Sequence, residues 1–284
     1  MKFSAWVING FTLIKWGDWC LISLYISLAS GIVVGLHYDP ANPFYSTTAL
    51  DILAPFGAYF RSLHFYSSQL FFLLAILHFI VAFDKAQIYR FRCWTYLILT
   101  LPVALMLLFT GYVLRADSTG LSAGIIAENI LLSIPLLGAT LNSLFFSITE
   151  HGMQRVYLHH VISFDLLFLI FAWDHLRRYS QVNFSKHMWF IIPVLLFSVF
   201  VSAPLDPEEL GMFFITGPWF FLGLQELLRY LPTFLAGFLV PVALIVALIF
   251  LRRDHQWFSR VFVFVGVWLV GYLVLTLLTL YAHG

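Results

Sequence analysis

Four histidines carry the most distinctive chemistry available to this sequence. His64 and His78 stand fourteen residues apart in the oily run LHFYSSQLFFLLAILHF, and His160 and His175 stand fifteen apart in LHHVISFDLLFLIFAWDH. On an α-helix fourteen steps fall about 40° short of four turns and fifteen run about 60° past them, so each pair shares one helix face. At about 1.5 Å per residue, the two members of a pair lie about 21–22 Å apart, one near each surface of a bilayer. Ionisable side chains inside a membrane span are costly and mark function by default. Two helices of the same direction would match these histidines by depth, His64 with His160 and His78 with His175. Neutral imidazoles facing in pairs suit two six-coordinate iron porphyrins, with a nitrogen on each axial face. A zinc or copper cluster does not fit, because ligands so far apart along a helix cannot share one ion. His37, His151, His159, His187, His255 and His283 sit at or near helix ends or in loops. Hydrogen-bonding or interfacial roles suit them.

The elements that must hold these side chains are membrane spans. Of 284 residues, 61% are apolar and only 10% are charged, whereas a soluble domain carries roughly a quarter charged residues. Long apolar runs, rather than alternating ones, make the class helical and integral to a membrane. A net charge of +1 offers no ground for a nucleic-acid partner. Cys20 and Cys93 form no CxxC or CxxCH pattern, so no disulfide framework, zinc site or covalent haem attachment is indicated. The opening MKFSAWVINGF lacks a cleavable signal pattern and is expected to lie at the interface.

Hydropathy predicts seven spans, at about residues 16–37, 61–83, 94–114, 155–176, 188–203, 233–251 and 260–282. The stretch 118–150, broken by Glu128, Asn129 and Pro135, is expected to form short helices along the membrane surface. Residues 205–231 combine an acidic turn, LDPEEL, with an aromatic segment suited to the interface. Lysine and arginine sort by side. Lys2, Lys15, Lys85, Arg90, Arg92, Arg177, Arg178, Lys186, Arg252, Arg253 and Arg260 fall before the first span or in alternate loops. The other loops hold only Arg61, Arg115, Arg155 and Arg229. The excess of positive charge on the inner side puts the N-terminus in the cytoplasm and the C-terminus outside. Seven spans agree with termini on opposite sides.

With these residues in place, the sequence resembles the cytochrome b family of quinol–cytochrome c and plastoquinol oxidoreductases over most of residues 11–180. SGIVVGLHYDP is similar to the end of that family's first helix, and Gly17 and Gly31 stand fourteen apart as its haem-packing glycines do. A glycine lets backbone lie on a porphyrin face. RSLH and RVYLHH resemble the starts of its second and fourth helices, and TGYVLRADSTG resembles its GYVLPWGQ, carrying Gly111. The fifteen-residue spacing resembles the chloroplast-type branch. The resemblance implies an all-α transmembrane fold, a four-helix di-haem bundle at 1–180 followed by a three-helix portion at 181–284. It implies two non-covalent b haems, the outer ligated by His64 and His160 and the inner by His78 and His175. Arg61 and Arg155 would pair with propionates, the alternative being interfacial snorkelling. It further implies quinol or quinone as substrate, and a c-type cytochrome or iron–sulfur partner subunit. A bacterial-type cytoplasmic membrane is the expected setting, and a homodimer is favoured.

Three departures stand out. TGPWFFLGLQELLRYLP lies where the family has PEWYFL, with Pro218 in place of the acidic residue. Leu97 occupies the position of a second helix-three glycine, so a bend at Pro102 would have to help pack the inner haem. Phe164 stands where the family commonly has proline. Quinol oxidation needs a proton acceptor. Glu226 is a candidate, the alternative being a surface pair with Arg229. Asp165, inside the fourth span, is a candidate for a proton path. Asp174 either borders an inner quinone site or meets Arg177 or Arg178 at the surface. Two other functions stay open: a haem-free proton-coupled transporter, and a haem-bearing anchor without quinone chemistry.

Overall fold

The computed structural model describes residues 15–150, 152–208 and 215–283, without the side chain of His283. The expected interfacial segment with Lys2, and also His151, lie outside the described residues. Every regular element among the described residues is a helix. Five are long and apolar enough to cross a membrane: α1 (Trp16–His37), α3 (Gly57–Ala86), α4 (Phe91–Leu114), α7 (Met153–Tyr179) and α11 (Phe258–His283). Between them lie α2 (Pro43–Leu53), α5 (Ser118–Leu132), α6 (Gly138–Phe145), α8 (Met188–Phe200), α9 (Leu222–Tyr230) and α10 (Leu235–Phe250).

Local chemistry sets many of the ends. The Asp39–Pro40 step disfavours further helix after α1, and the Asp39 carboxylate accepts from Ala41 N and Asn42 Nδ2 at 2.9 and 3.0 Å. These bonds, that of Asn42 foremost, hold the Asp39 carboxyl below its ordinary value. Pro43 then opens α2, where a missing N–H costs nothing. Asp117 caps α5 by accepting from Gly120 N at 2.9 Å. The helix α4 runs unbroken through Pro102.

Two expected spans come out short. Met188–Phe200 has 13 residues because Val201 turns extended. Ala203 N there donates to Ser62 Oγ at 2.8 Å, and the Ala203 carbonyl accepts from Arg61 at 2.8 Å, so contacts to α3 draw the chain out of the helix. The helix α10 begins after Pro232 with a π turn, Leu235–Leu239, and ends where Arg252 folds onto Asp254 at 2.9 Å.

The chain forms two compact units, one of residues 1–38, 48–97 and 171–204, the other of 39–47, 98–170 and 205–284. In the first, α1 packs along α3 and α8 lies against α3. Ser23, Ser27 and Ser30 of α1 and Ser62 and Ser67 of α3 are buried. Small residues let membrane helices approach closely where no hydrophobic force drives them together. In the second, α9 and α10 pack on α11. A Cβ at Gly223 would lie 2.9 Å from Tyr272 and Thr276, so only glycine admits α11 there.

Candidate functional site

Three glycines meet three of the four histidines. A Cβ on Gly31 would lie 2.8 Å from His64 Cε1, one on Gly17 3.1 Å from His78 Cε1, and one on Gly111 3.0 Å from His160 Cε1. Each imidazole thus occupies room that exists only because its neighbour has no side chain. The fourth, His175, has Leu97 beside it instead; both line a cleft with Tyr96, Phe171, Asp174 and Arg178. The rings of His78 and His175 lie with centroids 5.9 Å apart, tilted by 55°. That separation is short enough for both imidazoles to serve one haem iron.

Hydrogen bonds choose the tautomer at two of them. His64 Nδ1 lies 2.9 Å from the Ser27 carbonyl, which only accepts, so Nδ1 carries the proton and Nε2 keeps its lone pair. His160 Nδ1 lies 3.0 Å from Thr110 Oγ1. That hydroxyl spends its proton on the Met106 carbonyl at 2.8 Å, so toward His160 it accepts. In both rings the proton sits on Nδ1 and the lone pair on Nε2, the arrangement that orients ligating histidines generally. The buried Nδ1 of His175 has no hydrogen-bond partner among the described residues.

The fifteen-residue spacing has a local cause. Residues His159–Ser163 form a π turn, closed by Phe164 N–H donating to the His159 carbonyl. Such a turn takes in one extra residue, so fifteen residues on α7 count as fourteen on α3. The N–H that closes it belongs to Phe164, a bond proline could not make.

Other expected residues have tasks of their own. Arg61 is buried; its Nε and Nη2 donate to Asp51 at 2.7 and 2.5 Å, and Nη2 and Nη1 reach the Ala203 and Pro204 carbonyls at 2.8 and 3.3 Å. Arg155 is exposed and forms no ion pair among the described residues. Asp174 pairs with Arg177 at 2.9 Å on the surface. Asp165 is half-buried. Glu226 does meet Arg229, at 3.3 Å, yet its own side chain is buried and also accepts from Tyr230 Oη at 2.8 Å and Thr279 Oγ1 at 3.5 Å. His159 bonds the Leu144 carbonyl at 2.8 Å, and His187 lies buried 3.0 Å from Asp18.

Sequence reasoning missed Ser27, Thr110 and Asp51 as partners, and a cluster at the end of α4. There Arg115 pairs with Asp117 and reaches Asp206 at 3.1 Å, with Thr119 Oγ1 bridging to Asp206 at 2.8 Å. The charged RAD in TGYVLRADSTG, where the resembled motif has PWG, is the signal that could have found it.

Comparison with known proteins gives the family. The family described as Cytochrome b/b6/petB matches residues 5–201. The chain is 27% identical to the cytochrome b6 of Heliomicrobium gestii over 167 residues, 56% of this chain and 78% of that one. It is 24% identical to the cytochrome b of Bugula neritina over 274 residues, 84% of this chain and 73% of that one. A solved structure described as hyperthermophilic respiratory Complex III shares the fold with a TM-score of 0.68 at 21% identity, covering 93% of this chain and 82% of its own. With a family match over more than half its length and five helices of membrane-spanning length and composition, the chain is an integral membrane protein that belongs to the cytochrome b/b6/petB family.

Proposed function

We propose that the chain is the di-haem b-type cytochrome subunit of a membrane quinol or quinone oxidoreductase. The observation that carries this reading is the seating of His64, His78 and His160 against Gly31, Gly17 and Gly111. His64 and His160 hold the outer haem and His78 and His175 the inner one. Haem b, once bound, supplies a one-electron carrier at each end of the span. The protein's part is to orient and to exclude. Ser27 and Thr110 fix ring tautomer and direction, and the glycines leave room for the imidazoles themselves. Arg155 is the propionate partner this reading favours, since Arg61 would have to share its guanidinium with Asp51.

Residues 1–180 form the haem-bearing portion and 181–284 a three-helix portion, seven spans in all, with α8 and α10 as short ones. The N-terminus is cytoplasmic and the C-terminus outside, in a bacterial-type membrane. Electrons pass to or from a partner subunit, a c-type cytochrome or an iron–sulfur protein, in an assembly with this chain as a homodimer. Glu226 and Asp165 are the proton-transfer candidates at the quinone site, Glu226 as acceptor within the outer segment and Asp165 as part of a path.

Optical spectra of the purified protein test the ligand assignment. Two low-spin b-type haems per chain are expected, and His64→Ala and His78→Ala should each remove a different one. Two low-spin haems retained in both variants would falsify it. Pro218, standing where the resembled motif is acidic, favours one second reading, a haem-bearing anchor without quinone chemistry. Reduction of the haem by added quinol separates the two.

A further inference from the structure

Quinol oxidation releases two protons, and the position that carries the acidic residue in the resembled motif is Pro218 here. The Arg115–Asp117–Thr119–Asp206 cluster has the chemistry to take one of them. It lies just past the end of α4: Arg115 is the residue after Leu114, four positions beyond Gly111, the residue against His160. The Arg115 guanidinium stacks on Tyr112, the residue after Gly111, at 4.6 Å. A ligand delivering electrons to a haem at His160 therefore comes close to this cluster.

The charges do not balance. Asp117 and Asp206 share one cation, Arg115, so one negative charge is uncompensated within the cluster. Tyr112 and Thr119, which also face it among the described residues, are neutral. Asp117 is fully buried, and its oxygens accept from Arg115, from Asp206 N at 2.9 Å and from Gly120 N at 2.9 Å. Asp206 is the member that reaches water, its side chain 41% exposed. Thr119 Oγ1 stands between the carboxylates, 2.8 Å from Asp206 and 3.2 Å from Asp117. With Asp206 ionised, the hydroxyl donates to it. With Asp206 protonated, the hydroxyl turns to Asp117 and accepts from Asp206. Both protonation states are satisfied without moving the backbone. Beside them on the first turn of α5, the Ser118 hydroxyl is buried, 8% exposed as a residue, and has no hydrogen-bond partner among the described residues. It is an unsatisfied polar atom beside the two carboxylates.

We propose that Asp206, poised by Arg115 and Thr119, accepts a proton from a quinol hydroxyl at the outer end of α4 and releases it to the aqueous side. The quinol O–H bond breaks, its electron pair stays on the quinol oxygen, and the proton joins an Asp206 oxygen. This rests on the quinol oxidoreductase reading and adds a second acceptor beside Glu226.

The test uses the purified, haem-loaded full chain as wild type, Asp206→Asn, Asp206→Glu and Asp254→Asn, the last a surface control paired with Arg252. Two measurements are made: an infrared pH titration of carboxylic C=O absorption, and the pH-dependent rate of haem reduction by a short-chain quinol, with dithionite reduction as reference. A titrating carboxyl band should vanish in D206N and persist in D254N. D206N should slow quinol-driven reduction at least about tenfold and flatten its pH profile, D206E should restore most of both, and dithionite reduction should not change. An unchanged band or pH profile in D206N, with wild type active toward quinol, overturns the proton role alone. Wild-type haem that dithionite reduces and quinol does not overturns the quinol reading and this role with it.

Discussion

The helices α3 and α7 each carry two histidines, and they solve the same problem with unequal care. On α3 both rings rest against glycines, Gly31 at His64 and Gly17 at His78, and the spacing of fourteen needs no help from the backbone. On α7 the two ends differ. His160 has a glycine at Gly111 and a hydroxyl partner at Thr110, whereas His175 has Leu97 beside it and an unpartnered Nδ1. The π turn at His159–Ser163 is the further adjustment that brings the spacing on α7 into step with that on α3. A histidine without a fixed tautomer or a bare backbone face holds a porphyrin less firmly. On the di-haem reading proposed above, the comparison makes the His78/His175 site the looser of the two.

The sharpest way to break the comparison is to remove ligands. His160→Ala is expected to lower the haem-to-protein ratio from about two to about one, with the loss confined to the haem shared with His64; pyridine haemochrome assays on purified protein measure it. Deleting Ile162 from the π turn should come next. The remainder of α7 would turn by about 100°, His175 would leave its partner, and the inner haem signal should disappear from the reduced spectrum while His64 stays ligated. Gly111→Leu should expel the haem at His160, and Leu97→Gly should slow haem loss at His175. If apomyoglobin draws haem from both variants at wild-type rates, the glycine argument fails. Thr110→Val is smaller, about a tenfold loss of affinity at His160, read from haem titration of the apoprotein.

The smallest effect belongs to Glu128, which braces the short helices that follow α4. Burial pushes its carboxyl up, but hydrogen bonds from Asn142 at 2.7 Å and Thr149 at 3.2 and 3.0 Å outweigh that and hold it below the usual range. A depressed folded value adds stability above the ordinary carboxylate pKa of about 4.3, and that stability is lost as the pH falls through the lower folded value. Glu128→Gln should cost about 1–3 kcal/mol at neutral pH and flatten the acid limb of thermal unfolding.

Much of the fold is legible in the order of the amino acids. The five long spans come within a few residues of their expected bounds, because a bilayer core demands about twenty apolar residues and the flanking charges mark the ends. The helix α2 has no counterpart among the expected elements, since an eleven-residue helix with mixed composition leaves no span-like signal. The histidine spacing is readable because it depends on helical period along one chain segment, whereas the glycines at 17, 31 and 111 are picked out by the motifs that carry the family resemblance. A surface Glu226–Arg229 pair is a fair expectation from i,i+3 spacing, yet burial against α11 makes Glu226 something else.

The sequence by itself determined the helical, membrane-integral class of the molecule, its five long spans and the spacing of its histidines. Those follow from local composition and periodicity, which any stretch of chain displays alone. Only the tertiary structure decided which partners those residues keep. Arg115 meets Asp206 across 91 positions, Arg61 meets Ala203 across 142, and His160 meets Thr110 across 50. Contacts at such separations leave no periodic trace, because they are set by how helices dock and where glycine lets them close.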